Sequence, residues 1–523
     1  MRIQRYILAA GVLLAANAAA AQQQDPVIQR IYRLGMDSSG TYPLMQALTD
    51  SIGPRLTGSP GLKNGNDWLV KTYQSWGINA RNEQYGTWKG WRRGITHVDL
   101  VQPRVRSLEG MMLAWSPGTG SRSIEAPVVI LPEFRDSAQF VRWLPEVRNK
   151  FVLVSFPQPT CRGDESWGRW KDSTWIRNMM EERAAAARAW TNRVNATGYS
   201  LGLGTGSLGR RLEAAGAAGV IASRWSNGWG VNKVFSSLNE RVPAIDLSCE
   251  DYGLVFRLAE RNQNPVLRIT ADAEFLGEVP VYNTIAEIRG SEKPNEYIML
   301  SAHFDSWDGG SGTTDNATGT VTMLEAMRIL RKVYPNPKRT ILVGHWGGEE
   351  QGLIGSRAFA ADHPEVVEGL HALFNQDNGT GRIGSIGGQG LLAAEQYFTN
   401  WLSKMPAEFS RDLRRNFPGT PGGGGSDYAS FICYGAPAFG LSSINFDYSQ
   451  YTWHTNRDTF DKTVFDDLKH NATMVALLVY LADQDAQKMP RERATLEPAP
   501  GTNQPRTWPS CQEPQRTSER YFR

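Results

Sequence analysis

The stretch from Tyr297 to Gly355 constrains this chain more than any other. It reads YIMLSAHFDSWDGGSGTTDNATGTVTMLEAMRILRKVYPNPKRTILVGHWGGEEQGLIG. Two apolar, β-branched runs, residues 297–302 and 340–343, have the character of buried strands, and the apolar spacing of 317–333 between them is helical. The expected unit is therefore strand–helix–strand. Its polar residues stand just past each strand: His303 and Asp305 after the first, Asp315 in the glycine-rich loop before the helix, Glu349 and Glu350 after the second. In open α/β sheets, ligands bind beyond the carboxyl ends of the strands. Five candidate metal or acid–base groups thus converge on one sheet edge.

A chain of 523 residues is too long for one ordinary domain. Its net charge of +3, without any Lys/Arg run, offers nothing to nucleic acid. Residues 1–21 read as a secretory signal, with Arg2 and Arg5 ahead of an apolar core and small residues. No cysteine lies near that site for a lipid anchor, and no later run is long enough to span a membrane. The expected product is secreted or periplasmic, with no membrane anchor after cleavage. Cys161, Cys249, Cys433 and Cys511 are scattered, so they form no zinc–thiolate motif, and their pairing is open. Seventeen tryptophans, among them Trp167, Trp170 and Trp175 in polar surroundings, read as packing first and surface recognition second.

Along the chain, 43–51 and 65–76 read as helices joined by the turn-rich SIGPRLTGSPG, and 78–101 as strand broken by Gly86, Gly90 and Gly94. The texture changes near Val105. Short strands at 127–131, 150–156, 219–223 and 266–270 alternate with long polar connections. Helices are expected at 251–261 and 182–193. The βαβ texture resumes after Tyr282, with strands at 371–375 and 437–444, a helix start at Ser426-Asp427 and a closing helix over 464–482. The expected division is 22–104 and 280–488 for one α/β domain, 105–279 for a β-rich insert, and 489–523 for an irregular, proline-rich tail.

Each candidate has a bland reading. Asp315 could simply cap the helix it precedes, Asp377 could form the turn after its strand, and the Glu349-Glu350 pair could be a solvated acidic turn. Like charges there repel unless something positive compensates. His303 and His454 are the two histidines with acidic residues at suitable offsets. His97, His345, His363, His371 and His470 read as structural, with His345 an exception to watch because it lies near the glutamate pair. The joint occurrence in strand-end loops is what gives these residues weight.

The pattern HFDSW…DNATG…GGEEQGLIGS…QDNG…SDYASF…HTNRDTFDK resembles the exported zinc aminopeptidase family, which includes bacterial leucyl aminopeptidases, plasma glutamate carboxypeptidase and glutamate carboxypeptidase II. SIGPRLTGSPG, HFDSWD and RVPAIDLSCEDYG look most like the plasma glutamate carboxypeptidase branch. The resemblance covers residues 25–485. It implies a mixed, mostly parallel sheet sandwiched by helices, with the insert similar to a protease-associated domain. It also implies two zinc ions: His303 and Asp377 on one, Glu350 and His454 on the other, Asp315 bridging, Asp305 supporting His303, and Glu349 as general base. Two such ions about 3.5–4 Å apart lower the pKa of a shared water, and a base at Glu349 would move its proton to the leaving amine. Cobalt or manganese would also suit these donors.

Two departures stand out. Trp453 precedes the last histidine where glutamate carboxypeptidase II has tyrosine, which leaves Tyr451 as the nearby hydroxyl, and that enzyme's large C-terminal helical domain is missing. The expected function is a zinc-dependent exopeptidase acting on short peptides from the free amino end, with a homodimer as an open alternative for assembly. Carboxypeptidase action is the enzymatic alternative. Glutaminyl cyclisation on a related one-zinc fold lacks the first histidine ligand, and a non-catalytic binding protein would lack ligands that are all present here.

Overall fold

The computed structural model describes residues 25–523 apart from 203, 499, 500, 502 and 503; the expected signal segment lies outside the described residues. Strands Lys293–His303, Arg339–Trp346, Leu370–Asn375 and Ala438–Ser443 run parallel to one another. They form the middle of a fourteen-stranded sheet. Residues 298–303, 339–346 and 370–375 are buried without interruption, the pattern of strands covered on both faces. The register aligns their ends: His303 stands opposite Trp346 and Ser301 opposite Asn375. Whatever follows those residues emerges on one edge.

Helix Thr318–Val333 is buried over nearly its whole circumference, and helix Phe465–Asp483 behaves the same way. Helices that are apolar all round belong in a core. The two pack on one another and on the sheet face through Val321, Leu324, Leu477 and Leu478. Fully burying each such side chain is worth about 1.5–3 kcal/mol. A second face is closed by Phe359, Val366 and Phe431.

The region expected as a broken strand is one long strand, Asn79–Gln102. It pairs antiparallel with Val266–Ile288, and the ladder slips register between Gln84 and Gly86, Gly90 and Trp91, and Arg93 and Thr96. Bulges absorb the irregularity that read as breaks. This ribbon carries the chain from the parallel sheet to the segment between its two strands. There, Phe151–Leu153 lies parallel to both Ile124–Ile130 and Gly219–Ala222. The β-rich expectation needs correction: helices Ser137–Trp143, Asp164–Trp170, Ser173–Ala196, Gly206–Ala214 and Cys249–Glu260 hold more residues than the strands do. Their amphipathic spacing is diluted by polar runs, as in Ser173–Ala196, where only Trp190 and Val194 are buried. Trp167 and Trp175 pack against each other at 4.8 Å with their rings tilted by 38°, while Trp170 stays 76% exposed.

The tail is irregular in backbone yet tied down. Cys433 is bonded to Cys511, and Cys161 to Cys249. Trp508 packs on the main core, and Tyr521 and Phe522 pack against Trp88 and Trp115. No described helix is long and apolar enough to cross a membrane.

Candidate metal centre and active site

Three neighbouring parallel strands deliver the first half of the site. His303 ends one strand, Asp377 follows Asn375 on the next, and Glu349 follows the Gly347-Gly348 turn after Trp346. Gly348 has φ +70°, a backbone shape that a side chain resists. His303 Nε2 lies 3.0 Å from Asp377 Oδ1, and donor atoms of His303, Glu349 and Asp377 all fall within 4.8 Å of one another.

The second half is built from loops. Glu350 diverges from Glu349 and meets His454, whose Nε2 is 3.0 Å from Glu350 Oε2. Asp315 joins them, and Asp315, Glu350 and His454 satisfy the same 4.8 Å limit. Asp315 also links the halves: Oδ1 is 3.3 Å from His303 Nε2 and Oδ2 is 3.3 Å from His454 Nε2. The helix-cap reading of Asp315 does not hold. Its carboxylate faces the two histidines, and Asn316 Oδ1 accepts from Gly319 N instead.

All five candidate ligands and both candidate catalytic residues therefore come together. Asp305 is the one whose contact differs from expectation. The His303 Nδ1 partner is the Asp305 backbone carbonyl at 3.0 Å, with the carboxylate at 3.8 Å. That carboxylate accepts from Glu349 N at 3.1 Å and Glu350 N at 3.3 Å, so it anchors the glutamate turn as well as backing the histidine. His345 is not in the cluster; its Nε2 pairs with the Tyr73 hydroxyl at 2.7 Å. Burial pushes it down to about 3, so it is a neutral core histidine.

Four carboxylates with two imidazoles in one largely buried cluster are electrostatically unstable alone. Burial, reinforced by neighbouring carboxylates, pushes Glu349 and Glu350 well above the usual carboxyl range. Burial opposes protonation of His303, but Asp377 and Glu349 outweigh it and hold His303 well above its ordinary value. Burial wins at His454, which falls to about 4. Glu350 Oε1, Asp315 Oδ2 and His454 Nδ1 are buried without a hydrogen-bond partner among the described residues. Buried charges require pairing or a metal, and this donor set of imidazole nitrogen and carboxylate oxygen suits zinc.

Several supporting residues escaped the sequence reading. Asp458 accepts from Thr314 N at 2.7 Å and Asp315 N at 3.1 Å, shaping the bridging loop; its place in HTNRDT was the available signal. Buried Arg55, from SIGPRLTGSPG, donates to the carbonyls of Phe304, Ser311 and Gly312. Trp307 Nε1 donates to Glu350 Oε2 at 2.8 Å. Tyr451 is 38% exposed, whereas Tyr448 is the tyrosine that faces the cluster: burial and then Asp315, Asp377 and Glu350 raise its pKa.

His454 has φ +60°, uncommon for a residue with a side chain, and contacts from the segment between the ribbon strands hold it there. Val234 N donates to the His454 carbonyl at 2.8 Å, Asn232 and Asn456 exchange backbone and side-chain hydrogen bonds, and the Phe235 ring meets the His454 ring edge-on at 5.0 Å.

Residues 283–479 match the family model of peptidase family M28. Over that stretch the chain is similar to M28 peptidases. Carboxypeptidase Q from Bos taurus is 24% identical over 460 residues, covering 87% of this chain and 88% of its own; the Rattus norvegicus protein is 26% identical over 66% of each. These relatives match the branch expected from the sequence. Among solved structures, an M28 peptidase precursor from Shewanella amazonensis has TM-score 0.64 at 23% identity, covering 89% of this chain and 97% of that one. A zinc aminopeptidase from Bacillus subtilis has TM-score 0.53 at 18% identity, covering 84% and 93%. The mixed, mostly parallel sheet with flanking helices is the fold they share with this chain.

Proposed function

We propose that this chain is a zinc-dependent exopeptidase that hydrolyses short peptides from the free amino end. The observation that carries the reading is Asp315, whose two oxygens each face a different histidine at 3.3 Å. In this reading His303 and Asp377 hold one ion, Glu350 and His454 the other, and Asp315 is shared. The zinc pair, when bound, supplies a Lewis acid and a water of lowered pKa. Glu349 is the general base. It lies beside His303 and Asp377, is left free of both ions in this assignment, and burial raises its proton affinity. Its carboxylate takes the proton of the attacking water and returns it to the leaving amine. Asp305 keeps Glu349 in place through the backbone N–H it accepts. Trp307, Phe235 and Trp453 surround His454 and keep bulk water from that side.

We take residues 22–104 and 280–488 as the peptidase unit, 105–279 as a protease-associated-like insert and 489–523 as the tail. Export is the fitting location for a chain with two disulfides. The relatives' printed name makes carboxypeptidase action the second reading. Hydrolysis of one short peptide, free or N-acetylated, with and without chelator, separates them. Chelator-sensitive cleavage that requires the free amino end is the expected result. Cleavage of the acetylated peptide overturns the amino-end reading in favour of a carboxypeptidase. Absence of cleavage in the zinc-loaded protein overturns both.

A further inference from the structure

A cavity of about 300 Å³ opens at Asp377, one of the candidate metal ligands. Asn375, Ser385 and Leu441 line it from three strands of the sheet, and Ser426 from the loop after the glycine run. Gly424 and Gly425 line it too, with nothing within 4 Å of where a side chain would begin, so that wall is bare backbone. No lysine or arginine is among the described residues around it, and Asp377 is its one acidic residue.

The fold fixes the polarity of this lining. Trp346 Nε1 donates to Ser301 Oγ at 2.8 Å, Ser301 Oγ to Asn375 Oδ1 at 2.7 Å, and Asn375 Nδ2 to Ser426 Oγ at 2.8 Å. An indole N–H can only donate, and the Ser301 hydroxyl then needs an acceptor, which turns the Asn375 NH₂ group towards Ser426. The Ser426 O–H is the donor this relay leaves over. Two amides carry the same polarity: Asn378 Oδ1 accepts from Ser443 N at 2.9 Å, and Gln389 Oε1 from Gly422 N at 2.9 Å. A backbone N–H requires the amide oxygen, so each NH₂ group is left free, and neither has a partner among the described residues. Three residues around one cavity thus offer donors without a positive charge.

We propose that this cavity selects a substrate side chain ending in a carboxamide, so that glutamine or asparagine is preferred at the bond that is cut, with Ser426, Asn378 and Gln389 as the selecting residues; the inference rests on the exopeptidase reading above. The carboxamide oxygen accepts from the free donors. The hydroxyls of Ser385 and Ser442, which also line the cavity and have no partner among the described residues, accept from its NH₂ group. A leucine side chain would cover the same donors with hydrocarbon and leave them unpaired. A glutamate side chain would bring a second negative charge beside Asp377 with no lysine or arginine to answer it.

The test uses full-length, zinc-loaded protein with Gln-Ala, Leu-Ala and Glu-Ala, and with the reversed Ala-Gln, Ala-Leu and Ala-Glu. In one of the two series, kcat/KM for the glutamine dipeptide should exceed that of its leucine and glutamate counterparts by at least about tenfold. Gln389→Glu keeps the acceptor for Gly422 N and removes the donors, so it should shrink the glutamine-to-leucine ratio by about tenfold, mainly through KM. Equal rates for glutamine and leucine in both series overturn the proposal, as does a glutamate dipeptide cut as well as the glutamine one. So does a Gln389→Glu variant that loses all three activities alike, which marks a structural glutamine. Calorimetry on the unaltered protein is independent of turnover and of any variant: glutamine should bind at least about tenfold more tightly than leucine. That preference in a protein that cleaves no dipeptide supports the cavity and overturns the peptidase reading. Cleavage of every dipeptide without the preference overturns the cavity assignment and leaves the peptidase reading standing.

Discussion

The two halves of the carboxylate–histidine cluster are held by different means. His303, Glu349 and Asp377 sit at the ends of adjacent parallel strands, so the sheet's hydrogen-bond register places them. Asp315, Glu350 and His454 sit on loops, and His454 adopts a left-handed backbone supported by residues 232–235 of a distant segment. The first half is set by a rigid scaffold and the second by tertiary contacts. A strand end needs only the sheet to form. A loop ligand needs a neighbour to arrive.

The largest effect should come from the residue that belongs to neither ion in our assignment. Glu349→Gln should lower kcat by about 10²–10⁴-fold while metal analysis still finds two ions per chain; full activity would remove Glu349 as the base. His454→Ala should release the ion of the loop half and leave that of the strand half, read as one retained equivalent of zinc after dialysis. Two tightly held equivalents would break the assignment of the halves.

Asp305→Asn touches both halves, because its carboxylate supports the Glu349 and Glu350 backbone. A loss of about 10–100-fold in metal affinity is expected, as for outer-shell partners in general, and chelator titration would show it in both equivalents. Asn456→Ala should act on one half only. It removes the acceptor of Asn232 N and loosens the His454 loop, so the second equivalent should weaken by several-fold and the first should hold. Equal weakening of both would erase the distinction between scaffold and clamp.

The smallest effect serves as a control remote from the cluster. His363 Nε2 lies 2.6 Å from Glu83 Oε1. The hydrogen bond to Glu83 raises the histidine; for Glu83, burial is opposed and outweighed by His363 and Arg81, and its carboxyl is lowered. The raised histidine contributes stability that is complete below its unfolded pKa and lost as pH rises through its folded value. The lowered carboxylate contributes above its unfolded pKa and is lost as pH falls through its folded value. The pair therefore stabilises between the two, from weakly acidic to near-neutral pH. Being partly exposed, it is worth about 1 kcal/mol at most. His363→Ala should lower Tm by at most about 2 °C within that window and by nothing at alkaline pH, with metal content unchanged.

The strand half was legible because each of its residues follows an apolar run, and a strand's end is written in the sequence by where that run stops. The loop half was legible by motif, but its support was not. Asp458, Tyr448 and Phe235 act through contacts that close long loops, and no local periodicity marks such contacts. Asp427, expected only at a helix start, turns out to be a fully buried carboxylate pushed up to about 7 by burial. The glycines of the long ribbon misled for a physical reason: a bulge and a break share the same local composition, and only the partner strand tells them apart.

What the sequence by itself determined was the parallel βαβ core, the sheet edge on which the seven candidate site residues gather, and the chemistry their types allow. Local patterning encodes these because burial and strand alternation are read residue by residue. Only the tertiary structure decided that Asp315 spans two histidines, that Asp305 anchors the glutamate turn, and which cysteines pair. Those facts depend on the three-dimensional closure of segments hundreds of residues apart, and chain order carries no measure of that distance.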